Sequence, residues 1–380
     1  MFDKTGQSPD KNLLIAILAL IVFGWIMSFS ASAHLNGIPK VIMQGVFIML
    51  GLGAGFFVLK MPITFLKKYS PIFFVITLIL LAMVFLPEPI GRSVNGSTRW
   101  ISLGIFNFQP SEMMKLVMIL FMAGFLTRQE NDLKKPWAGL VKTLVIVSLA
   151  DILLLLETDL GATAIITITA LTMLFVAGVY LKQLAIVGTG LISVAGIGLY
   201  IDGLRGGVRW IRLTDFWQTD LWLNDSDKVH QTKQALIGIA RGDWTGTGLG
   251  AGIQKYSKLP EPHTDMIFAI IGEELGVIGM LFVLFMFGYI IGKSFNIAKE
   301  ALKIGKKYSS YVAFGICTWF SMQVGVNIAM NLGLMPIKGY TLPFISYGGS
   351  SMIFAIVTFA IILRIDMENR AGYQKQKHYA

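Results

Sequence analysis

Long apolar runs alternate with short polar ones along nearly the whole chain, and that pattern sets the fold before any single residue is considered. A helix needs about 20 predominantly apolar residues to cross the hydrocarbon of a bilayer. Runs of that kind fall near 12–33, 41–59, 71–87, 111–127, 139–156, 160–179, 183–200, 275–295, 310–334 and 342–364. The expectation is an all-α, polytopic membrane protein: one domain over residues 1–380, ten transmembrane helices, and a short, basic, disordered tail at 365–380. The first run ends in Ala31-Ser-Ala33, which resembles a leader cleavage site. It is longer than the ~7–15 residues of a leader's apolar core, and many spans follow, so an uncleaved anchor is expected.

Two polar segments are large enough to fold. Residues 88–110 hold an Asn95-Gly96 turn, then an alternating stretch from Arg99 to Phe108 with a central Gly104, which predicts a small hairpin. The long connection between the seventh and eighth spans, 201–274, contains an amphipathic stretch from His230 to Arg241, stopped by Gly242 and suited to a membrane surface. Trp210, Trp217 and Trp222 fit the same interface. Alternating glycines at 246, 248, 250 and 252 read as a flexible lead into Lys258-Leu-Pro-Glu-Pro-His-Thr-Asp265. A helix unbroken from Asp265 to Lys293 would exceed a span and sink Glu273 and Glu274 toward the bilayer centre. A break is therefore expected, with a short dipping segment over 266–272, an eighth span from about Leu275, and Thr264 as a helix cap.

Composition changes this picture only in its partners. The chain is 54% hydrophobic and 14% charged, with a formal net charge of +10. Lysines and arginines crowd the segments that lie inside if the N-terminus is inside, such as Lys67, Lys68, Lys134, Lys135, Lys303, Lys306 and Lys307. The short opposite segments hold only Lys40, Arg92, Arg99 and Lys338. This asymmetry orients both termini to the cytoplasm and accounts for the charge without nucleic acid. The single cysteine, Cys317, excludes an intrachain disulfide, and four scattered histidines show no metal spacing.

Ionisable groups at span ends carry the candidate chemistry. In Gln109-Pro-Ser-Glu112-Met-Met-Lys115, Ser111 is a candidate N-cap. Glu112 and Lys115 lie three apart and pair on one helix face, either as a neutral structural unit or with Lys115 turned to an anionic ligand. Glu157-Thr-Asp159-Leu-Gly161 makes a tight outer turn whose two carboxylates either cap the next helix or help hold a divalent cation, for which two are too few alone. Asp265 reads either as a helix N-terminal acid or as a catalytic base. Ser346-Tyr347-Gly348-Gly349-Ser350 permits close backbone approach, for packing or for a ligand. No internal repeat supports a transporter-like inverted duplication.

These stretches in this order resemble the SEDS family (shape, elongation, division and sporulation) of bacterial peptidoglycan polymerases over nearly the whole chain. The matching motifs are Asn95-Gly-Ser-Thr-Arg99-Trp100, Gln109-Pro-Ser-Glu112 with Lys115, Asp159-Leu-Gly161 and Gly246-Thr-Gly-Leu-Gly250. They continue through His263-Thr-Asp265, Glu273-Glu274-Leu-Gly276, Leu342-Pro343 and Ser346-Tyr-Gly-Gly-Ser350. Leu334-Met-Pro-Ile-Lys338-Gly points to the division branch rather than the elongation branch.

The resemblance implies a glycosyltransferase of the bacterial cytoplasmic (inner) membrane, acting at the division septum. It would polymerise lipid II, with undecaprenyl pyrophosphate leaving, beside a class B penicillin-binding protein transpeptidase, other divisome membrane proteins and membrane lipids. It makes Asp265 the catalytic residue. It makes Arg99, Trp100, Glu112, Lys115, Glu157, Asp159, His263, Glu274, Lys338, Ser346, Tyr347, Gly348 and Gly349 substrate-binding. No cofactor is required by the pattern; a divalent cation (Mg or Mn) would fall to Asp265 and Glu273. A lipid II flippase and a non-catalytic divisome scaffold that recruits a transpeptidase are the alternatives. Relatives often carry a glutamate eight positions before the aspartate, where this chain has Ser257, so a second acid would come from Glu261, Glu273 or Glu274.

Overall fold

The structure is a computed structural model. It describes residues 8–32, 37–94, 97–102, 104, 106–130, 135, 137–205, 207, 210, 214, 227–256 and 259–379. The Asn95-Gly96 turn, Trp217, Trp222, Ser257 and Lys258 lie outside the described residues.

Helices dominate: α1 Lys11–Ser32, α2 Ile38–Lys60, α3 Ile63–Met83, α4 Pro110–Arg128, α5 Ala138–Leu156 and α6 Leu160–Val176. They continue as α7 Leu181–Leu204, α8 Asp227–Gly242, α9 Ile267–Lys303, α10 Lys307–Asn331 and α11 Gly349–Tyr379. Among the described residues nine helices are long and apolar enough to cross a membrane, and α6 is a shorter apolar one. The chain is a multi-pass membrane protein with the ten apolar helices its pattern predicts. Between α3 and α4, strands β1 Gly91–Val94, β2 Ser97–Ser102 and β3 Asn107–Phe108 form one antiparallel sheet in the order β1-β2-β3. Gly104, at φ 81°, stands in the β2–β3 connection, as the expected hairpin required, and β1 adds a third strand.

Three boundaries differ from expectation for identifiable reasons. The third helix starts at Ile63 rather than 71, with Pro71 inside it. Proline cannot donate to the carbonyl four residues back, and the Ser70 hydroxyl donates to that Lys67 carbonyl instead (3.1 Å). The last helix starts at Gly349, after a turn over 342–348, rather than at 342.

At its other end α11 runs on through Tyr379, so the expected disordered tail is helical. Its polar side chains find partners: Arg364 donates to the Leu59 carbonyl (3.0 Å) and Glu368 accepts from the Ile63 N–H (2.9 Å), joining the end of α2 to the start of α3. Asn369 donates to Ile297 O (3.1 Å), and Arg370 pairs with both Asp10 (3.1 Å) and Asp366 (3.0 Å).

The expected break in the eighth span is present. At about 1.5 Å per residue a straight α9 would be about 55 Å long, well beyond a bilayer core. It breaks at Gly276 (φ 65°, ψ −165°). A break orphans carbonyls on one side and N–H groups on the other, and the segment after α8 crosses the gap to meet them. Thr247 N donates to Glu273 O (3.0 Å) and Gly248 N to Glu274 O (3.0 Å), while Val277 N donates to Asp243 O (2.9 Å) and Ile278 N to Trp244 O (3.2 Å). Only glycine allows so close a crossing: a Cβ on Gly242 would run into Gly272 O, and one on Gly246 into Glu274 O. The glycine-rich lead is thus a packed brace rather than a flexible connector. Helix α8 leans on it, burying Thr232, Ala235 and Gly238 instead of lying free at a surface.

Helices α4, α10 and α11 form the packed interior, while α7 stands almost wholly outside it.

Candidate functional site

The site grows from Asp265, half-buried just ahead of α9 on the face that carries the sheet. Two carboxamides of α10 hold its backbone: Asn327 Nδ2 and Asn331 Nδ2 donate to Asp265 O at 3.0 and 2.9 Å. Asn331 Oδ1 also accepts from Ala269 N (3.0 Å), so α10 caps α9 from outside. The expected cap, Thr264, does something else: its hydroxyl donates to Glu261 O (2.9 Å) and to Asp265 Oδ1 (3.0 Å). The turn before α11 is stitched to the same strip. Ser346 donates to Thr264 O (2.5 Å) and accepts from Leu342 N (2.7 Å), and Tyr347 N donates to His263 O (2.8 Å). The His263 ring meets Tyr347 edge-on, with centroids 5.3 Å apart.

The Glu112–Lys115 pair joins this strip through α10. Both are buried, with Lys115 Nζ 2.9 Å from Glu112 and 3.1 Å from Gln323 Oε1. The same ammonium lies 5.0 Å from the Trp319 ring, whose N–H also donates to Gln323 Oε1 (2.7 Å). Gln323 Nε2 donates to Thr341 O (3.0 Å), and Asn327 donates to Tyr340 O. Cation and aspartate are therefore tied to one helix face.

Asp159 enters from the α5–α6 turn. Its Oδ1 accepts from Ala162 N (3.1 Å), the capping role expected of it, and its Oδ2 accepts from Ser111 Oγ (3.2 Å). Ser111 is thus a partner of Asp159 and not the N-cap of α4, a position held by Gln109. Gln109 N in turn donates to Ser350 Oγ (3.0 Å). Arg99 of β2 donates to the carbonyls of Thr158 (2.7 Å) and Glu157 (3.4 Å). The Glu157 carboxyl is 1% exposed and, among the described residues, has no hydrogen-bond partner on either oxygen. Burial pushes it up to about 9, Asp159 adds to the rise, and Arg99 opposes it.

Several expected members do not join. Glu273 is buried and committed to Arg241 (3.0 Å), Ile253 N (2.8 Å) and Gln254 N (3.2 Å). Glu274 is buried and committed to Lys255 (2.7 Å), Ser30 (2.5 Å) and Gly250 N (3.0 Å). These acids fasten the brace to α9 and to α1. Their carboxylates are thus engaged by the brace, where the resemblance implied substrate for Glu274 and a cation for Glu273. Lys338 is exposed on the loop after α10, its N–H on Met330 Sδ (3.1 Å). Trp100 is half-buried on β2 opposite Arg92. Gly349 packs against Phe47, where a Cβ would come within 2.9 Å of the ring, and Gly348 lies against Ser351. Among the described residues no group of three or more His, Cys, Asp or Glu converges on a point that could hold a metal.

The reading from sequence missed four residues. Gln323, Asn327 and Asn331 recur every fourth position in an apolar span, a signal that a search for charges passes over. Lys40 carries only a topological role in the sequence; its Nζ lies 3.2 Å from His263 Nε2, which also lies 3.3 Å from the Glu261 carboxylate.

The chain resembles known proteins over nearly its whole length. A family model described as "Cell cycle protein", for FtsW, RodA and SpoVE, matches residues 11–371. The chain is 38% identical over 371 residues to a probable peptidoglycan glycosyltransferase FtsW of Polynucleobacter necessarius subsp. necessarius, covering 95% of this chain and 86% of that one. A Coxiella burnetii protein of the same description is 39% identical, with 95% and 97% covered. Among solved structures, a chain of a peptidoglycan synthase complex that coordinates polymerization and crosslinking superposes with a TM-score of 0.78 at 24% identity, covering 95% of this chain and 98% of that one. The rod shape determining protein RodA of Thermus thermophilus gives 0.71 at 24%, with 96% and 98% covered.

Proposed function

The chain belongs to the cell cycle protein family of FtsW, RodA and SpoVE, and we propose that it is a peptidoglycan glycosyltransferase that polymerises lipid II for the division septum. Curated relatives named as probable glycosyltransferases, alike over nearly their whole length, support the activity. The observation that carries the mechanism is Asp265: a half-exposed carboxylate on a backbone pinned by two buried amides, within a network that also holds Lys115 and Asp159. The sheet face is the extracytoplasmic one in this reading, as the Lys and Arg distribution supports, and both termini are cytoplasmic.

A sugar hydroxyl is a weak nucleophile at neutral pH, and a positioned base accelerates its attack, typically ~10²–10⁴-fold. Asp265 takes the proton of the acceptor's 4-hydroxyl as that oxygen bonds to the anomeric carbon of the donor's muramyl sugar. The anomeric C–O bond breaks, and its electron pair leaves on undecaprenyl pyrophosphate. One displacement inverts the centre, with no covalent intermediate. Positive groups at the sheet face stabilise the leaving diphosphate: Arg99, Lys115, Lys338 and Lys40 are the candidates. A divalent cation would find only the Asp159 carboxylate at this turn, since burial pushes Glu157 up to about 9, and one acid is too few for a site. A class B penicillin-binding protein transpeptidase is the proposed partner, since glycan strands need crosslinking, and other divisome membrane proteins would join it.

The test is polymerisation of lipid II by purified protein, alone and with its transpeptidase. Asp265→Ala and Asp265→Asn should abolish glycan strands while leaving the protein folded; undiminished polymer would sink the base assignment. Lipid II translocation in vesicles that survives Asp265→Ala would point instead to a flippase.

A further inference from the structure

We propose that Asn327 and Asn331 are positioning residues of the transferase, and that α10 acts as a ruler fixing the separation of Asp265 from Lys115. The proposal rests on the reading of Asp265 as the base.

A carbonyl oxygen accepts two hydrogen bonds, and Asp265 O takes one from each amide, both of which are 0% exposed. The two donors are four residues apart on one helix, so they move as a rigid pair. Asn331 takes Ala269 N on its oxygen, while its nitrogen holds Asp265 O and the Asn327 carbonyl of its own helix (2.9 Å). One side chain thereby fixes the first turn of α9 and the residue before it. Asn327 also donates to Tyr340 O, so the loop that precedes Ser346 is registered against the same carbonyl. One turn earlier on that face, Gln323 holds the Lys115 ammonium. Successive amides are about 6 Å apart along the axis, so α10 sets the spacing between its hold on the lysine and its hold on the aspartate backbone.

The chemistry gives that spacing a use. In a single displacement, nucleophile and leaving group stand on opposite sides of the anomeric carbon. The base that serves one and the cation that serves the other must be held apart at a constant distance. Buried amides in a membrane span are costly unless satisfied and would equally serve as interhelical glue. Each amide also holds a second carbonyl, Tyr340 O for Asn327 and Asn327 O for Asn331, but the acceptor they share is the residue that carries the base.

The experiment compares Asn327→Ala, Asn331→Ala and Asp265→Ala with Asn369→Ala, a buried amide near the opposite end of the bundle that donates to Ile297 O. Lipid II polymerisation gives kcat and KM, and thermal unfolding in detergent reports the fold. The expected result is an inactive Asp265→Ala protein and a kcat about 10- to 100-fold lower for both α10 variants, with KM nearly unchanged. Asn369→Ala should lose melting temperature but not kcat. If Asn327→Ala does not fold, Asn327→Gln keeps the amide, shifts it by one methylene, and should show the same loss confined to kcat. Wild-type kcat in the α10 variants, or losses that merely track melting temperature as in Asn369→Ala, would overturn the positioning role and leave the base assignment standing. An active Asp265→Ala protein would remove the base and this role together.

Discussion

Glu157 carries a proton that its surroundings will not let go. Its carboxyl is buried in the three-residue turn between α5 and α6, and Asp159 beside it opposes a second negative charge. In the unfolded chain the group ionises near its ordinary value of 4.5, while in the fold it holds its proton to about 9. Between those values the unfolded state has released a proton that the native state retains, so stability falls as pH rises. The contribution is intact below about 4.5 and lost by about 9. Glu157→Gln keeps the shape and removes the titration. Its melting temperature relative to wild type should therefore climb as pH goes from 5 to 9, and parallel curves would show that Glu157 ionises normally. A neutral Glu157 also leaves the Arg99 charge uncompensated by it.

At the scale of elements, the broken α9 shows what a sequence can and cannot disclose. The break was legible, because Glu273 and Glu274 were too polar for the depth an unbroken helix would give them. Their destination was not. Glu273 turns back to Arg241 at the end of α8, 32 residues earlier, and Glu274 to Lys255 on the brace, 19 residues earlier, and no local pattern encodes that fold-back. Most of the candidate strip was legible as polar residues at span ends; the α10 amides were not, since they carry no charge and a search for ionisable groups passes over them.

The brace makes its own prediction. Gly276 has a backbone conformation close to glycine-only, and a Cβ there would lie 2.5 Å from Gly246 N. Gly276→Ala should cost about 2–4 kcal/mol, beyond the ~1–3 kcal/mol of backbone strain alone. Gly53→Ala in α2, with nothing within 4 Å, should stay within about 0.5 kcal/mol. Denaturant unfolding of both in detergent checks the contrast, and equal losses would mean the crossing is loose.

For the whole molecule, the proposed activity depends on which face meets the outside. Lipid-linked sugar on the extracytoplasmic side can be used only if Asp265 lies there, and three features place it with the sheet. The hairpin, the brace and the loop before α11 all gather at one end of the bundle. The other end is closed by Arg364, Glu368 and Arg370, which tie α11 to α2, α3 and the N-terminal segment. Exposed lysines such as Lys303 follow that second end, as cytoplasmic loops require.

Cysteine chemistry can read this directly, because the chain has one cysteine, Cys317, and it is buried. Trp244, on the brace, is 66% exposed, and Lys303 closes α9 at the far end. A membrane-impermeant maleimide should label Trp244→Cys on intact spheroplasts and Lys303→Cys only after permeabilisation, with the native chain nearly unlabelled in both. The reverse pattern would turn the site toward the cytoplasm, where lipid II would have to be polymerised before it crossed the membrane, and the extracytoplasmic mechanism would fall with it.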